Sequence, residues 1–367
     1  MPAPDDIQKL PPVALVRLIN AFRTLLLRMN RRLFPGTAVL YEQLQYFWLL
    51  PSLYVAARLD IAEKLREKPL TALEIARQVE ADPVNMERLM RALTGGGIFR
   101  KNRDGRYALN SLARALVNNR GSLRHTIMHH LGPVNWNLMS DLEYSVKTGK
   151  DAFSARYGTD IYNYLRKHPE EYTLFDRSMS DLSELGLAPL LKAFNYGKFK
   201  CIVDVGGGEG QFLANILRTY PESRGILFDT PESVSTAPAL FSRYGTGNRV
   251  TIVSGDFFRS VPDGGDLYIL KNIIHNWNDD QSVVLLTRVA EAMMPGAKIL
   301  ILEMVVPEGN EWSAAKLLDI QMMASMSGGK ERTASEYRTL LEKAGFSFLG
   351  IIPTIAPVCL VLGAGKR

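Results

Sequence analysis

Cys201-Ile-Val-Asp-Val-Gly-Gly-Gly-Glu-Gly-Gln-Phe212 decides the reading of this chain. An apolar run with one acid, Cys201 to Val205, breaks into four glycines within five positions. Apolar residues then recur at helical spacing through Phe212, Leu213, Ile216 and Leu217. The outline is strand, tight turn, helix, as at the opening of a nucleotide-binding βα unit, and an ordinary tight βα turn shares it. Glycines serve such a turn because it takes positive φ values and because any Cβ would keep a ligand from the backbone. What the turn binds has to be read from the rest of the chain.

After Lys200 strand-like and helix-like stretches alternate, the texture of a doubly wound α/β sheet. Strands are expected at Cys201–Val205, Gly225–Phe228, Val250–Ser254, Asp266–Lys271 and Ala297–Glu303, with a hairpin at Ser347–Pro353 and Val358–Gly363. Helices are expected at Gln281–Met294 and Ala334–Ala344. Such sheets bind ligands at the carboxyl ends of their strands. The first strand offers Asp204 and the turn with Gly206 and Gly208. The second ends in Asp229, about 20 residues beyond the glycines, where an acid can accept both ribose hydroxyls of a nucleoside. The third ends Ser254-Gly-Asp256-Phe257-Phe258, a carboxylate for an adenine amino group beside rings that can stack on a base. The fourth ends Leu270-Lys271-Asn-Ile-Ile-His275-Asn-Trp277, and the fifth ends at Glu303.

Glu209, inside the glycine turn, narrows the ligand. A dinucleotide loop keeps its helix N-terminus bare for pyrophosphate. A carboxylate there repels phosphate and suits the cationic amino-acid end of S-adenosylmethionine. Methyl transfer to a hydroxyl needs a base, and His275 is the one histidine of this half, just past a strand end. A helix-capping or core histidine would read the same way from position alone.

The 367 residues suffice for two domains. Hydrophobic content of 46% with 22% charged residues fits a soluble globular chain, and no apolar run reaches eighteen. Met1 to Asp6 is proline-rich and acidic, unlike a secretory signal. Cys201 and Cys359 both fall in strand-like runs and read as buried apolar residues, so a reducing cytoplasm is expected. The net charge of +6 is partly local, since Lys9, Arg17, Arg23, Arg28, Arg31 and Arg32 precede the first acid after Asp6, Glu42. Arg17, Asn20, Thr24, Arg28 and Arg31 make one helix face, opposite Leu15, Ile19, Phe22, Leu26, Met29 and Leu33. Packing on the protein itself or on a second subunit is the favoured reading of so broad an apolar face; contact with an anionic membrane is the lesser one.

Pro35-Gly36 ends that helix, and a second runs from about Val39 to Arg58 with a kink or restart at Pro51. Leu59 to Leu65 is the next helix. Thr71 with Glu74 forms a capping box, Asp82-Pro83 starts another helix to Leu93, and Phe99-Arg-Lys101 with Arg106-Tyr-Ala-Leu109 reads as a two-stranded wing. This is a winged helix. Its recognition face would carry Asn85, Glu87, Arg88 and Arg91, too mixed in charge for phosphate, so no nucleic-acid partner is expected and a DNA-binding regulator is the least favoured reading. From Ser122 to about Phe199 the chain is helical and rich in aromatics. His129 and His130 face different ways on a helix, which argues against a metal site, and no metal is expected.

Taken together these stretches resemble the S-adenosylmethionine-dependent O-methyltransferases of the caffeic-acid and hydroxyindole type, in their bacterial natural-product branch. Val203 to Gly210 is similar to the family's cofactor loop, Phe228-Asp229 with Pro231 to its ribose segment, and Gly255-Asp256-Phe257-Phe258 to its adenine segment. Leu270 to Trp277 resembles the catalytic stretch, with His275 as general base, and Gly328-Gly-Lys-Glu331-Arg-Thr333 the late motif. The resemblance implies that Glu303 and Glu331 flank and orient the histidine, and that Lys271 joins Asp204, Gly206, Gly208, Glu209, Asp229, Asp256 and Phe257 at the cofactor. Phe175 to Ser183 resembles the helix whose Phe175 and Met179 line the substrate pocket and whose Ser183 approaches the cofactor. Trp136, Asn276, Met322 and Met326 complete the implied pocket, large and apolar, whereas Met323 reads as core. The implied architecture is α/β. Residues 1–120 form an N-terminal, all-helical winged-helix domain for homodimerisation, save its short wing. Residues 121–198 form a helical substrate region, and 199–367 a Rossmann-like class I methyltransferase domain. Where the family has aspartate after the histidine, this chain has Asn276, which keeps hydrogen bonding and loses a charge. That departure keeps carbon or nitrogen methylation, or a non-methylating use of the same cofactor, open beside O-methylation.

Overall fold

The computed structural model describes residues 10–119 and 121–366; Met1 to Asp6 and Lys9 lie outside them. They fall into two compact units. One takes Phe22–Ser140 and Tyr162–Leu185, and the other takes the described residues up to Ala21, Asp141–Ile161 and Gly186 onward.

Helix α1 is Val13–Arg32, α2 Gly36–Leu44, α3 Tyr46–Arg58 and α4 Ile61–Lys64. The expected break at Pro51 lies instead at Gln45, and Pro51 is inside α3. A proline in a helix removes an amide donor, here the one that would serve the Phe47 carbonyl, and the adjacent Ser52 hydroxyl donates to the Trp48 carbonyl (2.8 Å). No residue of α1 is buried, and the apolar face continues exposed through Leu33, Leu40, Phe47 and Trp48. The winged helix follows as α5 (Ala72–Gln78), α6 (Pro83–Gly95), β1 (Phe99–Lys101) and β2 (Tyr107–Leu109). Thr71 and Glu74 make both halves of the capping box. Met86, Met90 and Leu93 of α6 join Ile61, Ile75, Phe99 and Tyr107 in one core.

Short helices continue the chain: α7 (Ser111–Arg114), α8 (Arg124–His130), α9 (Pro133–Ser140), α10 (Leu142–Thr148), α11 (Ala152–Tyr157) and α12 (Ile161–Lys167). The long α13 (Pro169–Ala193) is shared between the two units.

The sheet begins with β3 (Cys201–Val205), followed by α14 (Gln211–Thr219), β4 (Arg224–Asp229), α15 (Ala237–Arg243), β5 (Val250–Ser254), β6 (Leu267–Lys271), α16 (Asp279–Ala292) and β7 (Lys298–Val306). Then come α17 (Ala314–Ser325), β8 (Arg332–Thr333), α18 (Ala334–Lys343), β9 (Phe346–Ile352) and β10 (Val358–Gly365). Strand order is β5-β4-β3-β6-β7-β10-β9, with β8 beside β7. Strands β5 through β7 run parallel and β10 is antiparallel to both neighbours. Order reverses between β3 and β6, so the two strand ends that carry the glycine turn and the His275 segment are neighbours at the switch point. Alternation along β3 sends Val203 and Val205 to one core layer and Ile202 to the other. Asp204 shares the Ile202 face, which is why a carboxylate ends up fully buried there.

Candidate active site

The glycine turn has a demanding geometry. Gly206, Gly208 and Gly210 take φ of +71°, +59° and +85°. A Cβ on Gly207 would lie 2.6 Å from Leu227 Cδ1 and 2.7 Å from the Asp204 carboxyl carbon. Asp229, at the end of β4, accepts the Gly208 amide at 2.8 Å and the Thr230 amide at 2.6 Å, so it braces the turn and leaves the strand end acidic. Beneath the turn, Asp204 is buried with neither carboxylate oxygen hydrogen-bonded to a side-chain donor. Burial pushes its pKa up to about 7, opposed by the charge of Lys271. Burial in turn lowers the pKa of Lys271, against the pull of Asp204. Glu209 is exposed and accepts the Thr236 hydroxyl at 2.6 Å. The carboxylate lodged under the loop is therefore Asp204, with Glu209 at its surface. Asp256 accepts the Phe258 amide (2.9 Å), and the Phe257 ring packs against Phe258 and Trp277 at 4.9 and 6.0 Å.

The β6 end turns sharply: Asn272 adopts φ +56°, and Ile274–Asn276 form a short 3-10 turn. Within it His275 Nδ1 meets Glu331 Oε1 at 2.7 Å. Glu303, fully buried on β7, reaches the same segment by its backbone, accepting the amides of Ile273 (3.0 Å) and His275 (3.1 Å). Its other oxygen accepts the Tyr337 hydroxyl. Burial alone would lower the His275 pKa, but the Glu331 hydrogen bond and the charges of Glu303 and Glu331 outweigh it, and the net shift is upward. Burial raises the pKa of Glu331. The Asn276 amide donates to the Asn272 carbonyl at 3.2 Å, closing the turn locally. Gly329 permits the close passage of the late motif, since a Cβ there would lie 2.9 Å from the His275 carbonyl oxygen. Among the described residues no cluster of three metal-ligating side chains exists.

An O-methyltransferase domain model matches residues 139–347, and an O-methyltransferase dimerisation domain model matches 41–119. This chain belongs to the O-methyltransferase family. The phenazine O-methyltransferase of Lysobacter antibioticus is 35% identical over 329 residues, 89% of this chain and 96% of its own length. The 8-amino-8-demethylriboflavin N,N-dimethyltransferase of Streptomyces davaonensis is 33% identical over 306 residues, 82% of this chain and 87% of its own. A methyltransferase of calicheamicin biosynthesis, solved with S-adenosylhomocysteine bound, superposes with a TM-score of 0.81 at 29% identity, covering 90% of this chain and 98% of that one. The enzyme is an S-adenosylmethionine-dependent methyltransferase, and the β3–β6 switch point fits that cofactor. At Gly208 the turn faces space that a Cβ would enter, and its buried carboxylate, Asp204, has oxygens without a side-chain partner.

The pocket residues expected from sequence divide between the units. In the first, Phe175, Met179 and Ser183 fall at four-residue intervals on α13, one helix face. The Phe175 ring lies 5.4 Å from that of His129, and Trp136 lies 5.7 Å from Phe47. Burial pushes His129 down to about 4, so this imidazole is neutral at physiological pH. In the second unit Met322 is buried on α17, Met326 half-buried just after it, and Met323, expected as core, is only half-buried. Helix phase puts Met322 inward and turns its neighbour toward the edge of the layer. Sequence reading passed over Arg332, Tyr337 and Asp319. Asp319 accepts the Glu331 amide at 2.8 Å. All three lie in stretches whose periodicity is ordinary, and only the buried polar contacts reveal them.

Asp204 carries a testable consequence. Its folded pKa, about 7, lies above the ordinary carboxyl value of 3.8, so folding favours the protonated form. The resulting penalty is absent near pH 4, grows as pH rises and is fully present above about pH 7. Without cofactor, Asp204→Asn should melt with the parent near pH 4 and above it at pH 8. Loss of a counter-charge for Lys271 offsets part of the gain. Thermal melts across pH 4–8 check this, and a gap independent of pH would show the assignment to be wrong.

Proposed function

We propose that the enzyme methylates a phenol or enol hydroxyl of a hydrophobic aromatic or polycyclic small molecule in secondary metabolism, with His275 as general base. The observation that carries this reading is the 2.7 Å contact between His275 Nδ1 and Glu331. A carboxylate on Nδ1 fixes the tautomer that leaves a lone pair on Nε2, the nitrogen that can take the hydroxyl proton. Glu331 then stabilises the imidazolium, and Glu303 holds the segment by its amides. Bound S-adenosylmethionine supplies an electrophilic methyl group.

On this reading Asp229 would hold the ribose, and Asp256 with Phe257 the adenine. Asp204, Glu209, Lys271 and Ser183 would serve the amino-acid end, while Gly206 and Gly208 leave the backbone open to it. Trp136, Phe175, Met179, Asn276, Met322 and Met326 would contact the acceptor, with methionines supplying an adaptable apolar wall. A homodimer formed through α1–α3 would cover the exposed side chains Phe22, Leu33, Leu40, Phe47 and Trp48, and the dimerisation-domain match supports it. A cytoplasmic enzyme agrees with the two free cysteines.

The relative that is an N,N-dimethyltransferase makes an aromatic amine the second acceptor class. Incubation with methyl-labelled cofactor and a panel of phenols, enols and aromatic amines decides between them. The expected product gains one methyl on oxygen, and the rate falls on the acid side through a pKa above the ordinary histidine value of 6.5, because protonated His275 is no base. Transfer confined to amines, or a rate flat from pH 5 to 9, would sink the reading.

A further inference from the structure

Among the described residues Arg332 is the largest fully buried side chain. A guanidinium is costly to bury unless every donor is used. Here they converge on the segment that carries His275. Nη1 donates to the Ile274 carbonyl at 3.0 Å and Nη2 to the Trp277 carbonyl at 2.8 Å, so the two carbonyls bracket His275 and Asn276. Nε and Nη2 also donate to Asp279 Oδ1 at 3.0 and 2.8 Å, and Nη2 lies 3.3 Å from the Ser282 hydroxyl. Asp279 opens α16, so the guanidinium ties the segment to a helix end. The preceding residue, Glu331, grips the imidazole, and the Lys330 amide donates to the His275 carbonyl at 2.9 Å. The His275 ring and the backbone of the 274–277 segment are thus held by three consecutive residues at the start of β8.

We propose that Arg332 is a positioning residue for methyl transfer: it fixes the backbone on both sides of His275, Asp279 holds the guanidinium in turn, and the imidazole meets the acceptor hydroxyl in one orientation. This rests on the reading of His275 as base. The charged groups that bear on the ring are Glu331, Glu303 and Arg332. Behind them stand Asp319 on Glu331, the Tyr337 hydroxyl on Glu303, and Asp279 with Lys330 around the guanidinium. A cation near the ring favours neutral imidazole and an anion favours imidazolium.

Two variants of the full-length enzyme therefore predict opposite signs. Arg332→Met removes the cation and should move the acid limb of kcat to higher pH. Asp279→Asn leaves the guanidinium uncompensated and should move it to lower pH. Arg332→Met should lower kcat about 10–100-fold, the range expected when a catalytic group is misplaced by about 1 Å. Its affinity for S-adenosylmethionine by calorimetry should stay within about twofold, since the bonds of the guanidinium go to Ile274, Trp277, Asp279 and Ser282 and not to the glycine turn, which the segment meets through Ile273. Arg332→Lys should recover little, because one ammonium cannot span two carbonyls and a carboxylate.

The His275 imidazole proton shift against pH, assigned by its loss in His275→Ala, reads the same sign without turnover. Shifts in the same direction for both variants, or a kcat unchanged in Arg332→Met, would overturn the clamp. Should Arg332→Met fail to fold, Asp279→Asn decides alone, since its carboxylate is half-exposed; an unmoved His275 titration then refutes the proposal. A base reading that is itself wrong shows differently, as His275→Ala retaining activity.

Discussion

His275→Ala should lower kcat by about 10²–10⁴-fold while the affinity for S-adenosylmethionine stays within about twofold. The size follows from what a positioned base contributes to proton transfer, and the selectivity from where the ring is held. Its side chain is 15% exposed and its contacts are Glu331 and the surrounding segment, and of the residues proposed for the cofactor only Lys271 shares its strand end. Holding acceptor and methyl donor together is itself worth a great deal, so residual turnover above solution is expected. Glu331→Gln separates the two roles further. It keeps a hydrogen-bonding side chain on Nδ1 and removes the charge, so the His275 pKa should fall and the acid limb should move to lower pH. Rates measured from pH 5 to 9 with a saturating acceptor provide the check. If His275→Ala keeps most of its kcat, proximity alone drives the reaction and the histidine has another task.

The glycine turn, the strand–helix alternation and the winged helix were all legible because each is encoded locally. A turn needing positive φ leaves glycines, a capping box leaves Thr71 and Glu74, and strands covered on both faces leave short continuous apolar runs such as Leu267 to Leu270. Strands β3 and β5 coincide with expectation at both ends, and β4, β6, β7, β9 and β10 differ by a residue or a few. The site was legible only as positions. His275 and Glu331 lie 56 residues apart, and nothing in either stretch states that they meet at 2.7 Å. Resemblance linked them; geometry supplied the contact.

The same limit explains the differences. Glu209 drew attention because it interrupts the glycines, yet its side chain turns to Thr236 at the surface. Asp204 reads as a lone acid in an apolar strand, and its role is set by the face it shares with Ile202, which only the register fixes. Glu303 was expected to flank and orient the histidine, and its contacts are the backbone amides of Ile273 and His275 rather than the ring. Arg332 was passed over within its own motif, since charged residues are ordinarily assigned to the surface and total burial of an arginine has no local signature.

Gly206 is where cofactor turn and catalytic segment touch, and Gly206→Val should break both. The residue holds φ +71°, a conformation that costs a β-branched side chain about 1–3 kcal/mol. Its Cβ would also lie 2.4 Å from Ile273 Cδ1 and 2.9 Å from Ile273 Cγ1. Relieving such overpacking costs about 1–3 kcal/mol more. Together these correspond to roughly two to four orders of magnitude in the fraction of enzyme with a competent turn, and apparent cofactor affinity falls by that fraction. Because Ile273 precedes His275 by two residues and shares its Glu303 anchor, kcat at saturating cofactor should fall as well. Gly208→Ala is the contrast. Gly208 takes φ +59°, but no protein atom lies within 4 Å of its Cβ position. The turn itself therefore bears only a conformational cost of about 1–2 kcal/mol, roughly 5–30-fold in affinity, to which the Cβ adds by standing between cofactor and backbone; kcat at saturation should be preserved. Calorimetric titration of both variants with S-adenosylmethionine, followed by turnover at saturation, tests the difference. A kcat at saturation lost equally in both variants would mean that the contact with Ile273 is not what couples the turn to the base.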